Sequence, residues 1–145
     1  MRVDYAGVYE QHVDAVYGYL AFRSSSRQVA EDLTQQTFER GLRGWASFDP
    51  EVGSARTWLM KIARHVYIDS RRRAPAPEDS GRSPSEEPLQ VTSALRSLER
   101  REREAIALRF GGDLRSAEIA EVLGVTVSNA QQILARALRR LRTTL

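Results

Sequence analysis

The chain has 145 residues, of which 41% are hydrophobic and 28% charged, a balance typical of a folded globular protein rather than a disordered one. It has two histidines and no cysteine, which excludes disulfides, thiolate metal sites and cysteine nucleophiles, and no cofactor is expected. No apolar run approaches the roughly 20 residues needed to span a bilayer and no signal peptide opens the chain, so we expect a cytoplasmic protein without membrane insertion.

The net charge of +3 is distributed in three blocks that predict two domains and a linker. Residues 1–73 carry eleven basic and nine acidic side chains, residues 74–90 one and four, and residues 91–145 ten and six. The middle block, APAPEDSGRSPSEEPLQ, also holds four of the five prolines. We therefore predict domains over residues 1–73 and 91–145, joined by a flexible acidic linker over residues 74–90.

The first domain is predicted to begin with two helices. An i, i+3, i+4 spacing of apolar residues predicts the first helix, from Tyr5 through Leu20. Ser25 and Gln28 fit a capping box that begins the second helix, which we expect to run to about Trp45. Its inner face is predicted to hold Ala30, Leu33, Thr37, Gly41 and Leu42. Its opposite, polar face holds Asp32, Gln35, Gln36, Glu39, Arg40 and Arg43.

A third helix is predicted after the turn SFDPEVGS, with Ser54 as its cap. Its apolar stripe consists of Leu59, Ile62, Ala63 and Val66. Trp58 lies at the edge of this stripe, so we expect its ring mainly to pack in the core rather than to stack on a ligand. Basic side chains lie away from the stripe, at positions 56, 61, 64, 65 and 71–73.

In the second domain, Thr92 is predicted to cap a helix that ends at GGD. Leu95, Leu98, Ala105 and Ile106 form its inner face, and Glu99–Arg103 and Arg100–Glu104 are predicted as ion pairs on its outside. Two further helices are joined by LGVT, where Gly124 supplies the turn and Thr126 the next cap. The last helix is expected to bury Ala130, Ile133, Leu134, Ala137, Leu138 and Leu141.

The last two helices fit either a DNA-binding helix-turn-helix or a plain helical hairpin with a solvated polar face. The outer face of the last helix has no acid and carries glutamine, asparagine and arginine, which can read base edges in the major groove or contact phosphate. This composition favours DNA contact. With no strand predicted, the fold class is all-α: two small helical domains, a three-helix bundle and a helix-turn-helix unit.

The order of these features resembles the extracytoplasmic-function group of bacterial RNA polymerase sigma factors, over nearly the whole chain. AEDLTQQTFERGLRGWASFDP is similar to the region 2 helix that docks on core polymerase, and TWLMKIARHVYIDSRRR to the adjacent segment that handles the −10 promoter element. LRSLERREREAIALRF followed by AEIAEVLGVTVSNAQQILARALRRL is similar to region 4, which reads the −35 element.

The resemblance implies three sets of site residues. The core-docking set, which grips the clamp coiled coil of the largest polymerase subunit, is Asp32, Gln35, Gln36, Glu39 and Arg40. The −10 set, which holds melted single-stranded DNA, is Arg56, Trp58, Lys61, Arg64, His65 and Arg72. The −35 set is Ser128, Asn129, Gln131, Gln132, Arg136 and Arg139. The turn Phe48–Ser54 matches a loop of the family that forms part of the pocket for a −10 base.

The resemblance also implies function and partners. We expect a sigma factor without enzymatic activity that binds core polymerase and promoter DNA and is held inactive by an anti-sigma factor. Two departures bear on specificity: SNAQQI replaces the common Gly-Thr-Val-Lys-Ser-Arg in the recognition helix, and His65 stands where asparagine is usual. The alternatives are a sigma-like decoy that binds an anti-sigma factor without reading DNA, and a stand-alone helix-turn-helix regulator.

Overall fold

The computed structural model describes residues 4–24, 26–73 and 95–144. The N-terminal helices are α1 (Tyr5–Arg23), α2 (Arg27–Gly44), a 3-10 turn (Trp45–Ser47) and α3 (Ala55–Arg73). The C-terminal helices are α4 (Arg100–Ile106), a π-helix (Ala107–Gly111), α5 (Ser116–Leu123) and α6 (Val127–Thr144). No strand occurs among the described residues, and the predicted all-α class is confirmed. The predicted linker 74–90 and the predicted Thr92 cap lie outside the described residues.

Polar side chains cap the N-terminal helices. Asp4 caps α1, where its Oδ1 accepts a hydrogen bond of 2.8 Å from the Gly7 amide. The cap of α2 is Ser26, whose Oγ accepts from the Val29 amide at 3.2 Å. The prediction of Ser25 as this cap is therefore wrong by one residue in a run of three serines; Ser25 lies outside the described residues. Ser54 caps α3 as predicted, since its Oγ accepts from the Thr57 amide at 3.1 Å.

The first three helices pack around one apolar core. Its buried members include Val16 and Leu20 of α1, Leu33 of α2, and Leu59 and Ala63 of α3. Tyr5 ties α1 to α2, because its hydroxyl donates to the Phe38 carbonyl at 2.6 Å. Burial raises the pKa of the Tyr5 hydroxyl to about 12, so Tyr5 is neutral and able to donate at physiological pH.

The burial predicted for Leu42 is wrong, since this side chain is 60% exposed. An α-helix turns about 100° per residue, and the stripe that α2 buries is centred between Thr37 and Gly41. Leu42 lies about a quarter turn or more from that centre, while Thr34 and Phe38, which were not predicted, are buried. Adjacent residues cannot both lie at the centre of one helical face.

The helix predicted from Thr92 to the GGD stop is interrupted in the structure. Glu99 has an extended backbone (φ −69°, ψ 160°) and precedes the first residue of α4, Arg100. The Glu99 amide donates to Glu102 Oε1 at 3.0 Å, so a side chain supplies the acceptor that a continuous helix would have given. Beyond Ile106 the chain continues as a π-helix, in which the Gly112 amide donates to the Ala107 carbonyl at 3.0 Å.

Two further expectations for the second domain are wrong. Glu104, predicted on the outside of its helix, is 2% exposed. Leu138, predicted in the core, is 41% exposed, because it lies at the edge of the α6 stripe whose centre is held by Ala130 and Ala137. The other predicted inner residues of α6 are buried or half-buried: Ala130, Ile133, Leu134, Ala137 and Leu141.

The two helical units also pack against each other. Helix α1 lies on the π-helix, and α3 lies on α5. Buried apolar side chains of both units consequently form one continuous cluster.

Candidate nucleic-acid and polymerase interfaces

A tight turn sets the angle between α5 and α6. Gly124 adopts φ 71°, in the left-handed region that favours glycine. The Val125 amide donates to the Ala120 carbonyl at 3.0 Å, which closes α5. The Asn129 amide donates to Thr126 Oγ1 at 3.0 Å, which begins α6. The turn and the cap predicted for a helix-turn-helix are therefore both present.

The outer face of α6 is open to solvent along its length. All six residues predicted to contact the −35 element are exposed: Ser128, Asn129, Gln131, Gln132, Arg136 and Arg139. The opposite face is anchored by buried alanine and leucine, so the backbone that presents these side chains is fixed. Amide side chains can pair with adenine and guanidinium groups with guanine or phosphate, so this face has the donors and acceptors of a major-groove reader.

Arg140 belongs to the same arginine-rich end of α6 but acts within the protein. Its Nε lies 3.2 Å from Glu102 Oε2 and its Nη2 lies 3.5 Å from Glu99 Oε1. The Glu102 side chain is only 4% exposed, so this ion pair fixes α6 on α4. The burial of Glu102 can be anticipated from the sequence, because Glu102 lies on the apolar stripe, four residues after Leu98 and four before Ile106.

Three residues of the predicted −10 set share an exposed face of α3. Lys61, His65 and Arg72 are all exposed. Separations of four and eleven residues place them within about 40° of one another around the helix axis. This row of cations and donors fits a backbone of successive phosphates.

Three aromatic side chains, two from the segment before α3 and one from its first turn, contact one another. Trp45 and Phe48 are stacked with ring centroids 5.0 Å apart, and Trp58 lies 5.1 Å from Phe48 and 5.8 Å from Trp45. Trp58 is half-buried and packs against the core, as expected for this residue. Phe48, at the beginning of the turn that was matched to a base pocket, is buried and helps to support Trp58.

The other two arginines of the −10 set are held by the second domain. Arg56 Nη2 donates to the carbonyls of Gly112 and Asp113 at 2.8 and 2.9 Å. Arg64 Nε donates to Glu104 Oε2, and Arg23 Nη1 lies 3.6 Å from the same oxygen. The structure therefore separates the −10 set into three exposed polar residues, a packed tryptophan and two arginines engaged by the C-terminal domain.

The predicted core-docking set occupies the outer face of α2. Asp32, Gln35, Gln36 and Glu39 are exposed, and Gln35 Nε2 donates to Glu39 Oε1 at 3.2 Å. Arg40 is half-exposed, and its Nη2 lies 3.2 Å from Asp69 Oδ2 of α3.

An apolar groove between α1 and α2 adjoins this polar face. Gln35 and Glu39 form one side of it, together with Leu42. Tyr9, which is 46% exposed, and Tyr17 contribute from α1. The sequence pattern does not reveal this groove. Tyr9, four residues after Tyr5, and Leu42 both fit the apolar stripes of their helices, and only the crossing of the two helices leaves them uncovered. The groove widens the candidate docking surface from a polar stripe to a mixed surface with aromatic walls.

Two further properties concern the described residues 4–24, 26–73 and 95–144. No group of three or more histidine or carboxylate side chains among them is placed to hold a metal ion. None of the described helices is long and apolar enough to cross a bilayer.

Family models match both halves of the chain. Residues 8–75 match sigma-70 region 2, and residues 89–141 match sigma-70 region 4. The RpoE structure from Bartonella quintana, solved with the anti-sigma factor NepR, is similar in fold: the TM-score is 0.75 at 22% identity, over 97% of this chain and 96% of that one.

Curated relatives agree with the family models. The ECF RNA polymerase sigma factor BldN of Streptomyces coelicolor is 32% identical, over 92% of this chain and 57% of its own length. The ECF RNA polymerase sigma factor RpoE of Cereibacter sphaeroides is 30% identical, over 95% of this chain and 84% of its own. This chain therefore spans little more than half the length of BldN but most of RpoE. The protein belongs to the ECF RNA polymerase sigma factors of the sigma-70 family.

Proposed function

We propose that this protein is a sigma factor that binds the core of bacterial RNA polymerase and directs it to particular promoters, leaving all catalysis to the polymerase. The outer face of α6 carries this proposal. Its six polar residues are exposed, none of them is acidic, and the opposite face of the helix is buried. Since bacterial polymerase works in the cytoplasm, the proposed role places the protein there.

The proposed functions are assigned to successive segments of the chain. Residues 1–73 form region 2, residues 91–145 form region 4, and residues 74–90 link them. The two family matches, which leave residues 76–88 between them, support this division. Region 2 grips the clamp coiled coil of the largest polymerase subunit through the outer face of α2 and the adjoining groove. The aromatic walls of that groove support the assignment, because exposed aromatic and polar groups together are typical of protein interfaces.

The proposed DNA contacts use different physical means in the two domains. Region 4 reads the −35 duplex by direct contacts to base edges from α6. Region 2 holds the melted −10 strand through contacts of Lys61, His65 and Arg72 with the DNA backbone. Arg56 and Arg64 add to these contacts once they are released from the C-terminal domain. On α6, glutamine and asparagine replace cations that are common in the family. We therefore expect this protein to recognise a −35 sequence that differs from the one the common residues read. Control by an anti-sigma factor, common in the family, is part of this proposal.

Run-off transcription with purified core polymerase and a library of promoters from the source organism tests the DNA assignments. We expect promoter-specific transcripts that are lost with Arg136→Ala and with Lys61→Ala, since both side chains are exposed on proposed DNA faces. Arg101→Ala is the matched control, because Arg101 is an exposed arginine of α4 outside both faces. Transcripts that survive both substitutions would contradict the assignment.

The docking face is tested by the affinity of the protein for core polymerase, measured without DNA. Asp32→Arg reverses a charge within the proposed contact, and we expect it to weaken binding at least tenfold. Glu10→Arg makes the same change on the exposed side of α1 and should leave binding unchanged. Equal affinities of the two variants would remove α2 from the docking surface.

One observation favours the decoy as a second candidate: Arg56 and Arg64, both expected on the DNA, are engaged by the second domain. A decoy binds an anti-sigma factor but supports no transcription. Core binding without promoter-specific transcripts, also in variants whose domains are separated, would favour it over the sigma factor.

A further inference from the structure

The side chains at the centre of the outer face of α6 are the ones best placed to enter a groove of DNA. The inner side of the helix is fixed by four buried residues: Ala130, Ile133, Leu134 and Ala137. With a turn of about 100° per residue, four exposed residues lie within about 30° of the opposite direction: Ser128, Gln132, Ala135 and Arg139. Their separations of four, three and four residues make them one continuous row along the helix.

The chemistry of the outer face changes halfway along α6. No residue from Val127 to Ala135 carries a charge. Arg136, Arg139 and Arg142 follow, and all three are exposed. Guanidinium groups bind phosphates irrespective of sequence, whereas amide and methyl groups distinguish one base pair from another. In a helix-turn-helix the N-terminal part of the second helix contacts the base edges. The first half of α6 is therefore the part that selects a sequence, and the arginines of the second half hold the DNA backbone.

The uncharged half of the row has the length of a few base pairs. A rise of about 1.5 Å per residue places Ala135 about 10 Å beyond Ser128, whereas base pairs are stacked about 3.4 Å apart. By the same measure Gln132 and Ala135 are separated by about 4.5 Å along the axis, which is close to one base-pair step. These two side chains can therefore contact neighbouring base pairs.

The amide of Gln132 carries a donor and an acceptor on one planar group. Adenine presents the complementary pair at its major-groove edge, the acceptor N7 and the donor N6 amino group, so a glutamine amide can bond to both. Guanine presents two acceptors at this edge and cytosine a single donor, and either base leaves one side of the amide without a partner. Gln132 is thus suited to adenine.

Ala135 gives the row its only apolar member. Its side chain is exposed and consists of a single methyl group. Gln132 precedes it by three residues and Arg139 follows it by four, so two long side chains border a short one on the same face. Thymine is the base that carries a methyl group in the major groove, and alanine is among the side chains that contact this methyl. Ala135 is thus suited to thymine.

We propose that Gln132 and Ala135 determine the sequence specificity of α6: the Gln132 amide pairs with an adenine, and the Ala135 methyl contacts the thymine of a neighbouring A·T pair. This assignment rests on the proposed function, in which α6 contacts the −35 duplex, and it names the base pairs that this contact selects. Arg136 and Arg139 add affinity for any duplex.

The first test identifies the sequences that the full-length protein selects from a pool of DNA duplexes with a randomised central segment. We expect two adjacent A·T pairs in the sequences enriched by the parent protein. Gln132→Arg should replace the adenine by guanine at one position, since arginine pairs with O6 and N7 of guanine. Thr143→Arg is the matched control, because it adds the same charge at an exposed position of α6 about three turns further on. It should strengthen binding to all duplexes alike without changing the preferred bases.

The second test removes single groups from the selected duplex and measures the affinity of the full-length protein. A 7-deazaadenine lacks the N7 acceptor, and a deoxyuridine lacks the methyl group of thymine. We expect the first replacement to weaken binding of the parent protein about fivefold and the second about threefold. Gln132→Ala should abolish the effect of 7-deazaadenine only, and Ala135→Ser that of deoxyuridine only, because each variant removes one partner of one contact.

A pool without enrichment, or enriched sequences that lack adjacent A·T pairs, would overturn the assignment. A guanine that fails to appear with Gln132→Arg would overturn the role of Gln132, and an effect of deoxyuridine that persists in Ala135→Ser would overturn that of Ala135. None of these measurements uses the polymerase. A protein that selects these duplexes but neither binds core polymerase nor supports transcription would instead refute the proposed function while the base contacts stand.

Discussion

Glu102 and Glu104 lie two residues apart in one short helix, yet they neutralise arginines in different parts of the molecule. Glu102 faces Arg140 of α6, and Glu104 faces Arg64 and Arg23 of the N-terminal domain. Each is nearly inaccessible to solvent, so each carboxylate depends on its arginines to offset the cost of burial. The same residue type therefore stabilises one domain from within and joins it to the other.

Substitutions of two neighbouring arginines of α6 should have different effects, one on stability and the other on DNA binding. Arg140→Ala leaves Glu102 buried without its cation, so we expect the free energy of unfolding to fall by about 1–3 kcal/mol. Arg139 is exposed on the proposed reading face, and Arg139→Ala should lower promoter binding with a change in stability of less than about 0.5 kcal/mol. Urea unfolding and promoter binding of both variants check this. An equal loss of stability in the two would contradict the role given to Arg140.

His12 should make stability depend on pH. Burial, with a contribution from nearby Arg56, lowers the pKa of its imidazole in the folded protein below 6.5. The unfolded chain then binds a proton that the folded protein does not, so the free energy of unfolding falls as pH drops through 6.5 towards the folded pKa. Above this range the effect is absent. His12→Gln should flatten this part of the profile, measured by urea unfolding between acidic and neutral pH; an unchanged profile would exclude His12 as its source.

At the scale of the helices, local sequence patterns correctly predict caps, turns and buried positions where one face of a helix packs on one core. The caps at Ser54 and Thr126, the turn at Gly124 and most inner positions of α2, α3 and α6 were predicted correctly. Periodicity failed at the edges of the stripes, because Leu42 and Leu138 belong to the apolar pattern but lie beyond the width of the packed face. It also missed the break at Glu99, which depends on a side-chain hydrogen bond.

The turn of the helix-turn-helix should be sensitive to backbone strain alone. Gly124 has φ 71°, and an added Cβ would meet no atom within 4 Å, so the cost of a side chain there is conformational. Gly124→Ala should lower the free energy of unfolding by about 1–2 kcal/mol. Asn tolerates the left-handed region better, and Gly124→Asn should cost less than Gly124→Ala. Thermal unfolding of the two variants checks the order; the reverse order would mean that the turn is not held at this angle in solution.

The contact between the domains could not be read from the sequence. It joins residues some 40 to 90 positions apart, such as Arg64 with Glu104 and Gly18 with Gly111. Glu104 has the neighbours of an ordinary exposed helix residue, and an i, i+4 pair with Arg100 was the reasonable expectation. The exposed face of α6 was predictable, because it depends only on which residues of one helix are buried. The occupation of Arg56 and Arg64 was not, since it depends on how two separate units dock.

Coupling between the domains should be visible in unfolding. Both tryptophans, Trp45 and Trp58, belong to the N-terminal domain, so their fluorescence reports that domain, whereas circular dichroism reports helices throughout the chain. In the parent protein the two urea curves should coincide, because Glu104 links the stabilities of the domains. In Glu104→Gln they should separate into two midpoints. Glu102→Gln should shift the curve without the same loss of coupling, and coincident curves in all three proteins would contradict the linkage.

The orientation of α4 relative to α5 and α6 depends on how many residues the π-helix contains, and not only on which residues they are. A π-helix holds one residue more than an α-helix of the same length, and here it lies between Glu104 and the helix-turn-helix. Deleting a single residue within Ala107–Gly111 would restore an α-helical register and rotate α4 by about 100° relative to α5 and α6. Glu104 would then turn away from Arg64, and Glu102 would turn away from Arg140. Loss of one codon, with no substitution anywhere, would thus disrupt both sets of contacts that α4 makes, the one with α6 and the one with α3.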